Sequence, residues 1–204
     1  LMLLPPFFLK PNSKWLYEHM KAVANAVDIP IMAQYAPEQT GVAIPPETFC
    51  RLEKECPNMI YYKIECKPAG PYVTNLMKLT DGKMKIFVGN AGFQLIECMD
   101  RGTIGAMPGC SMYDVYVDIY NNYVNGNRQK AIEIHNKILP MLNHIRQNVE
   151  QIIAFEKRIL KRRGIIASDY CRKPSFETDG YFDKLFDEFY GILAKEYHWE
   201  DSNE

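Results

Sequence analysis

The sequence lacks a strong net charge, a long apolar run and any paired-cysteine motif. Its 204 residues carry 24 basic and 25 acidic side chains, a formal net charge of −1. That balance lacks the electrostatic footprint of a dedicated nucleic-acid binder. No apolar run reaches the roughly 18 residues needed to cross a membrane. Leu1–Leu4 is apolar, but no basic segment precedes it and Pro5-Pro6 follows, so nothing there reads as a secretory leader. The cysteines at 50, 56, 66, 98, 110 and 171 form no Cys-x-x-Cys pair and have no matching histidine spacing. A structural zinc site is therefore not expected. Scattered thiols in a chain too large to need a disulfide framework point to a reducing, cytoplasmic setting. Neither the Gly-x-Gly-x-x-Gly nor the Gly-x-x-x-x-Gly-Lys-Ser/Thr pattern occurs, which counts against a bound nucleotide.

Hydrophobic residues make up 47% and charged residues 24%, which are globular values. Short apolar runs recur at Leu1–Leu4, Ile29–Tyr35, Met59–Ile64, Met84–Val88 and Thr103–Met107, most ending at Pro or Gly. Buried parallel strands read this way. Helical spacing fills the gaps at Ser13–Val27, Pro46–Cys56, Val73–Leu79 and Gly92–Arg101. The strand starts are spaced by roughly 28, 30, 25 and 19 residues, the rhythm of β–α units shared by open doubly wound sheets and (β/α) barrels. After Cys110 the pattern is all-helical: Ser111–Asn125, Arg128–Leu142 with a continuation toward Ile153, Phe155–Arg163 and Phe182–Tyr197.

Lys63 lies near the C-terminal end of an apolar strand, where β/α folds bind ligands. A lysine in dry surroundings gives up its proton more readily and can attack a ketone to form a Schiff base. A lysine snorkelling to solvent reads the same way and is, from position alone, the commoner case. Glu65, two residues on, shares its face and could hold or tune the amine; a simple ion pair is the plainer alternative. Gly89-Asn90-Ala91-Gly92 and Pro108-Gly109-Cys110-Ser111 follow adjacent strands and permit close backbone approach. The four histidines read as structure. Lys157, Arg158, Lys161, Arg162 and Arg163 read as a solvated basic face. Tyr113, Tyr116, Tyr120 and Tyr123 fall on one helix face, expected to pack against a barrel or a second subunit.

Taken in order, LPPFFLKP, IPIMAQYAPEQTGVAIPPETF, PNMIYYKIECKPAGP, FVGNAGFQLIECMDRGTIGAMPG and GNRQKAIEIHNKILPMLNHI resemble the dihydrodipicolinate synthase / N-acetylneuraminate lyase family. The likeness runs from residue 1 to about 175 and covers the C-terminal two-thirds of such a protein. It implies an α/β fold, a (β/α)8 TIM barrel represented here by about strands four to eight (1–125), followed by a C-terminal helical extension (126–204). Leu1, in place of Met and inside an apolar run, fits a fragment or a record missing its earlier part. The resemblance implies a class I lyase, an aldolase or a dehydratase, with Lys63 as the Schiff-base lysine, acting on pyruvate or a sugar-derived 2-oxo acid. It implies no metal or organic cofactor, no nucleic acid and no membrane, and a homo-oligomer, dimeric or tetrameric, in the cytoplasm. A non-catalytic relative that binds a 2-oxo acid or sugar acid is the alternative.

Several family positions are changed. The catalytic tyrosine of the fifth strand aligns with Gln34, with Tyr35 beside it; a second tyrosine aligns with Phe8; an arginine aligns with Gln39. Gln34 is expected to hold a substrate oxygen, unless a bulge turns Tyr35 inward. Gly89, Asn90 and Gly105 are expected to offer donors near the substrate. These changes argue against dihydrodipicolinate synthesis itself and toward a divergent branch with Lys-x-Glu in its sixth strand.

Overall fold

The computed structural model describes residues 1–199. The chain divides into two compact units, one from Leu1 to Pro108 and one from Gly109 onward. The division falls before the helix that follows the last strand.

The first unit is built on a five-stranded sheet. Its strands are β1 (Met2–Leu3), β2 (Ile31–Tyr35), β3 (Met59–Ile64), β4 (Lys85–Val88) and β5 (Gly105–Ala106). They lie in sequence order and every pair is parallel. Parallel neighbours need crossovers, and helices supply them. These are α1 (Ser13–Asn25), α2 (Pro37–Thr40), α3 (Pro46–Glu55), α4 (Ala69–Leu79) and α5 (Leu95–Asp100).

Local chemistry sets several of these boundaries. The Asn12 side chain caps α1 by accepting from the Trp15 N–H. Pro46 opens α3, where its missing N–H costs nothing. α4 begins four residues earlier than the apolar spacing predicts, because the Gln94 side chain accepts from the Ala69 N–H and gives that end a partner. The short α2 was not foreseen; it ends on Gly41 at φ 65°.

Alternation along the strands gives the sheet two different faces. Ala33, Tyr35, Tyr62, Ile64, Ile86 and Val88 are buried on one. Helix side chains cover it: the Phe49 ring of α3 meets Tyr62 at 5.2 Å and Tyr35 at 6.3 Å. Each such side chain contributes about 1.5–3 kcal/mol on burial. On the other face Met32, Tyr61, Lys63 and Phe87 are half-buried and Lys85 is exposed. At the rim of the unit Tyr17 and Lys21 of α1 and Arg51 of α3 all converge on Glu55, tying α1 to α3.

The second unit is helical, with α6 (Tyr113–Val124), α7 (Arg128–Ile145), α8 (Val149–Arg162) and α9 (Gly180–Tyr197). Its core gathers Ile134, Ile138, Met141 and Leu142 of α7, Phe155 and Ile159 of α8, and Phe186, Tyr190 and Leu193 of α9. The predicted run from Arg128 toward Ile153 is two helices. Asn148 adopts an extended conformation and caps α8 by accepting from the Gln151 N–H. The basic run is not a solvated face. Arg158 and Arg162 pair with Asp183 and Asp187 of α9 at 2.5 and 2.6 Å, and Arg163 pairs with Asp114 of α6 at 2.7 Å. The α6 tyrosines divide as well: Tyr116 is buried, while Tyr113 and Tyr120 are exposed beside Val117 and Val124. Near the end of the described chain the Trp199 indole donates to Asp114 at 2.7 Å and lies under the Arg163 guanidinium.

Candidate active site

Lys63 sits one residue before the end of β3, the central strand. Its Nζ meets Glu65 Oε1 at 3.1 Å, and both side chains are largely enclosed, at 13% and 12% exposure. The two share a face because they are two residues apart on an extended chain. Register brings two more groups alongside. Gln34 of β2 and Phe87 of β4 are the direct neighbours of Lys63.

Glu65 is held from β2, from β3 and from the turn after β4. Gln34 Nε2 donates to its Oε2 at 2.5 Å. The Asn90 backbone N–H donates to its Oε1 at 3.3 Å, and Asn90 Nδ2 donates to its backbone carbonyl at 2.6 Å. Asn90 and Ala91 adopt left-handed φ angles of 47° and 51°, which turn this segment back across the end of β3. Gly89 is needed for space: a Cβ there would overlap Glu65 Cγ. The small-residue turn after β4 thus approaches a side chain of its own protein.

The other expected residues are placed as follows. Tyr35 pairs with Ile64, one position on from Gln34 and Lys63. The only register shift in this strand pair falls upstream at Ile31/Met32, so no bulge turns Tyr35 inward. Its ring lies 4.6 Å from Tyr72 on the helix-covered side, and burial raises its phenol above the usual value. The structure therefore does not bring Tyr35 to Lys63. Phe8 is 90% exposed in the loop after β1, and Gln39 is exposed on α2. Gly105 lies on β5 in register with Phe87, hence two strands from Lys63. Phe87 and Tyr61, which pack edge to face at 5.8 Å, line the lysine's face and were not singled out from sequence. The signal was there in the alternation about Lys63 and in the neighbouring strand. Cys66, the next nucleophile along, has its thiol pushed up to about 11 by burial and stays protonated. Among the described residues no cluster of His, Cys, Asp or Glu could hold a metal ion.

The profile of the dihydrodipicolinate synthetase family matches residues 1–183. The 4-hydroxy-tetrahydrodipicolinate synthase of Bacillus subtilis (strain 168) is 27% identical over 146 residues, covering 71% of this chain and 50% of that protein. The L-2-keto-3-deoxyarabonate dehydratase of Azospirillum brasilense is 28% identical over 178 residues, covering 85% of this chain and 56% of its own. The crystal structure of dihydrodipicolinate synthase from Rhodopseudomonas palustris superposes with a TM-score of 0.85 at 24% identity, covering 93% of this chain and 64% of that one. The chain spans about half the length of the relatives it matches in sequence. Its five parallel strands with crossover helices are part of a (β/α)8 barrel fold. A family match over nine-tenths of its length, on a fold that puts a lysine at the end of the central strand, leaves one assignment: the chain belongs to the dihydrodipicolinate synthetase family.

Proposed function

We propose that this chain carries the Schiff-base lysine of a lyase, an aldolase or a dehydratase, acting on pyruvate or a sugar-derived 2-oxo acid. The observation that carries the reading is Lys63 beside Glu65, enclosed at the C-terminal end of β3 on the sheet face opposite Tyr62 and Ile64. An amine there can attack the ketone carbon and expel the oxygen as water. The resulting imine then serves as electron sink for breaking or making a C–C bond or for losing a hydroxyl. The chemistry asks for no metal or organic cofactor.

A sugar-derived substrate is favoured by two features. No phenol replaces the family's fifth-strand tyrosine at position 34, and one of the similar proteins is a 2-keto-3-deoxy sugar-acid dehydratase. The retained Lys63–Glu65 pair counts against a purely binding relative. We place the protein in the cytoplasm as a homo-oligomer, with α6 closing the β–α series and the helical extension beginning at residue 126.

The test is incubation with pyruvate followed by borohydride and peptide mass mapping. A reduced adduct on Lys63 is expected, and Lys63→Arg, which keeps the charge but cannot form the imine, should abolish both adduct and turnover. An adduct on another lysine, or turnover surviving in Lys63→Arg, would sink the reading.

A further inference from the structure

We propose that Glu65 is the group that moves protons during imine formation at Lys63, and that Gln34, Gly89 and Asn90 act on Glu65 rather than on the substrate. The proposal rests on the Schiff-base reading above and deepens it. Both carboxylate oxygens of Glu65 are fixed. Oε1 takes Lys63 Nζ at 3.1 Å and the Asn90 N–H at 3.3 Å, and Oε2 takes Gln34 Nε2 at 2.5 Å. The Lys63 distance is within reach for direct proton transfer. Tyr35, the phenol adjacent to Gln34, lies on the opposite face among Tyr72 and Phe49. Gln34 can only donate and accept hydrogen bonds; it has no proton to give up. Tyr61 shares the lysine's face, but its ring packs edge to face on Phe87; the Glu65 carboxylate is the acid–base group that meets the reacting nitrogen, at 3.1 Å.

The protons balance through one carboxylate. The ammonium of Lys63 passes a proton to Glu65, and the freed lone pair forms the C–N bond while the carbonyl π pair moves to oxygen. Glu65 returns that proton to the oxygen. It then takes a second proton from the nitrogen and delivers it to the hydroxyl, which leaves as water as the C=N bond forms. The iminium keeps one N–H, the water holds two protons and Glu65 ends as a carboxylate.

Gln34 and Asn90 are positioning residues in this scheme. Their amide nitrogens are engaged by Glu65, one on the side chain and one on the backbone carbonyl.

The experiment measures the rate of borohydride-trappable adduct formation on the full chain, against pyruvate concentration and pH. Glu65→Gln, nearly isosteric, should slow trapping about 100-fold or more near neutrality, the scale of a lost general acid–base. The rate should recover as pH rises and the amine deprotonates unaided. Added formate should accelerate Glu65→Ala and leave the unmodified chain unaffected, which a structural role would not produce. Gln34→Ala and Asn90→Gly, the latter keeping the left-handed backbone, should lower the saturating rate and leave the half-saturating pyruvate concentration unchanged. Three results overturn the proposal: Glu65→Gln trapping at the unmodified rate and pH profile; formate failing to rescue; or Gln34→Ala and Asn90→Gly acting on half-saturation alone. If the unmodified chain forms no Lys63 adduct, the Schiff-base reading itself fails and this proposal with it; an adduct indifferent to Glu65 removes this proposal only.

Discussion

One missing methyl group decides where Glu65 can lie. Gly89 has a φ of −94°, open to any residue, so space and not backbone conformation demands glycine there. Gly89→Ala should push the carboxylate off Lys63 while β4 and its pairing stay in place. Displacement on the ångström scale at a reacting centre costs about 100-fold in rate. The adduct-formation rate, read beside the far-ultraviolet circular dichroism of the same sample, checks this. An unchanged rate would mean that Glu65 has another seat. At this scale the sequence was informative where alternation applies. The pairing of Lys63 with Glu65, and the opposed directions of Gln34 and Tyr35, follow from counting by twos along a strand. What counting could not supply was the partner of each amide. That depends on the left-handed turn at Asn90 and Ala91, which is set by tertiary fit and not by any local residue preference for two such angles in a row.

Between elements, the tie of α1 to α3 has a pH signature. Lys21, Tyr17 and Arg51 donate to the Glu55 carboxylate and hold it down at about 2, against an ordinary 4.5. A carboxyl depressed in the folded state favours folding above its unfolded value and loses that contribution as pH falls toward its folded value. The stability difference between the unmodified chain and Glu55→Gln should therefore be full above about pH 4.5 and fade to nothing by about pH 2. Urea midpoints across that range read it out, and a difference that does not vary between the two limits would contradict it. Most elements were legible as periodic segments: β3 and the start of α1 fall on their predicted residues. The misses lie where side-chain caps decide. Gln94 starts α4 early from a distant part of the chain, and Asn148 splits what periodicity reads as one helix. The basic run of α8 misled because like charges in sequence do not reveal three aspartates waiting on α6 and α9.

For the molecule as a whole, the sheet is the source of the next expectation. Its edge strands β1 and β5 are two residues long, and Leu1, Met2 and Leu4 along β1 are exposed. Unpaired edges with apolar flanks template association. The 204-residue chain expressed alone should self-associate, with a sedimentation coefficient that rises with concentration. A monomer that unfolds in one cooperative transition would refute this. The rhythm of strands made a parallel β–α fold readable, because parallel neighbours need helices between them; the barrel was legible only through the ordered motifs that resemble the family. The switch from β–α rhythm to an all-helical pattern after Cys110 was readable, and it lies close to where the compact units divide, after Pro108.

The two tryptophans fall one to each unit, in opposite surroundings. Trp15 projects from α1 with more than half its surface in solvent, under the Lys14 ammonium. Trp199 is pinned by Asp114 and roofed by Arg163, with the Tyr190 and Tyr197 rings about it. Their emission should differ in colour and in accessibility to iodide. The chain thus carries a separate optical reporter for each unit, and Trp15→Phe leaves a spectrum that belongs to the helical unit alone.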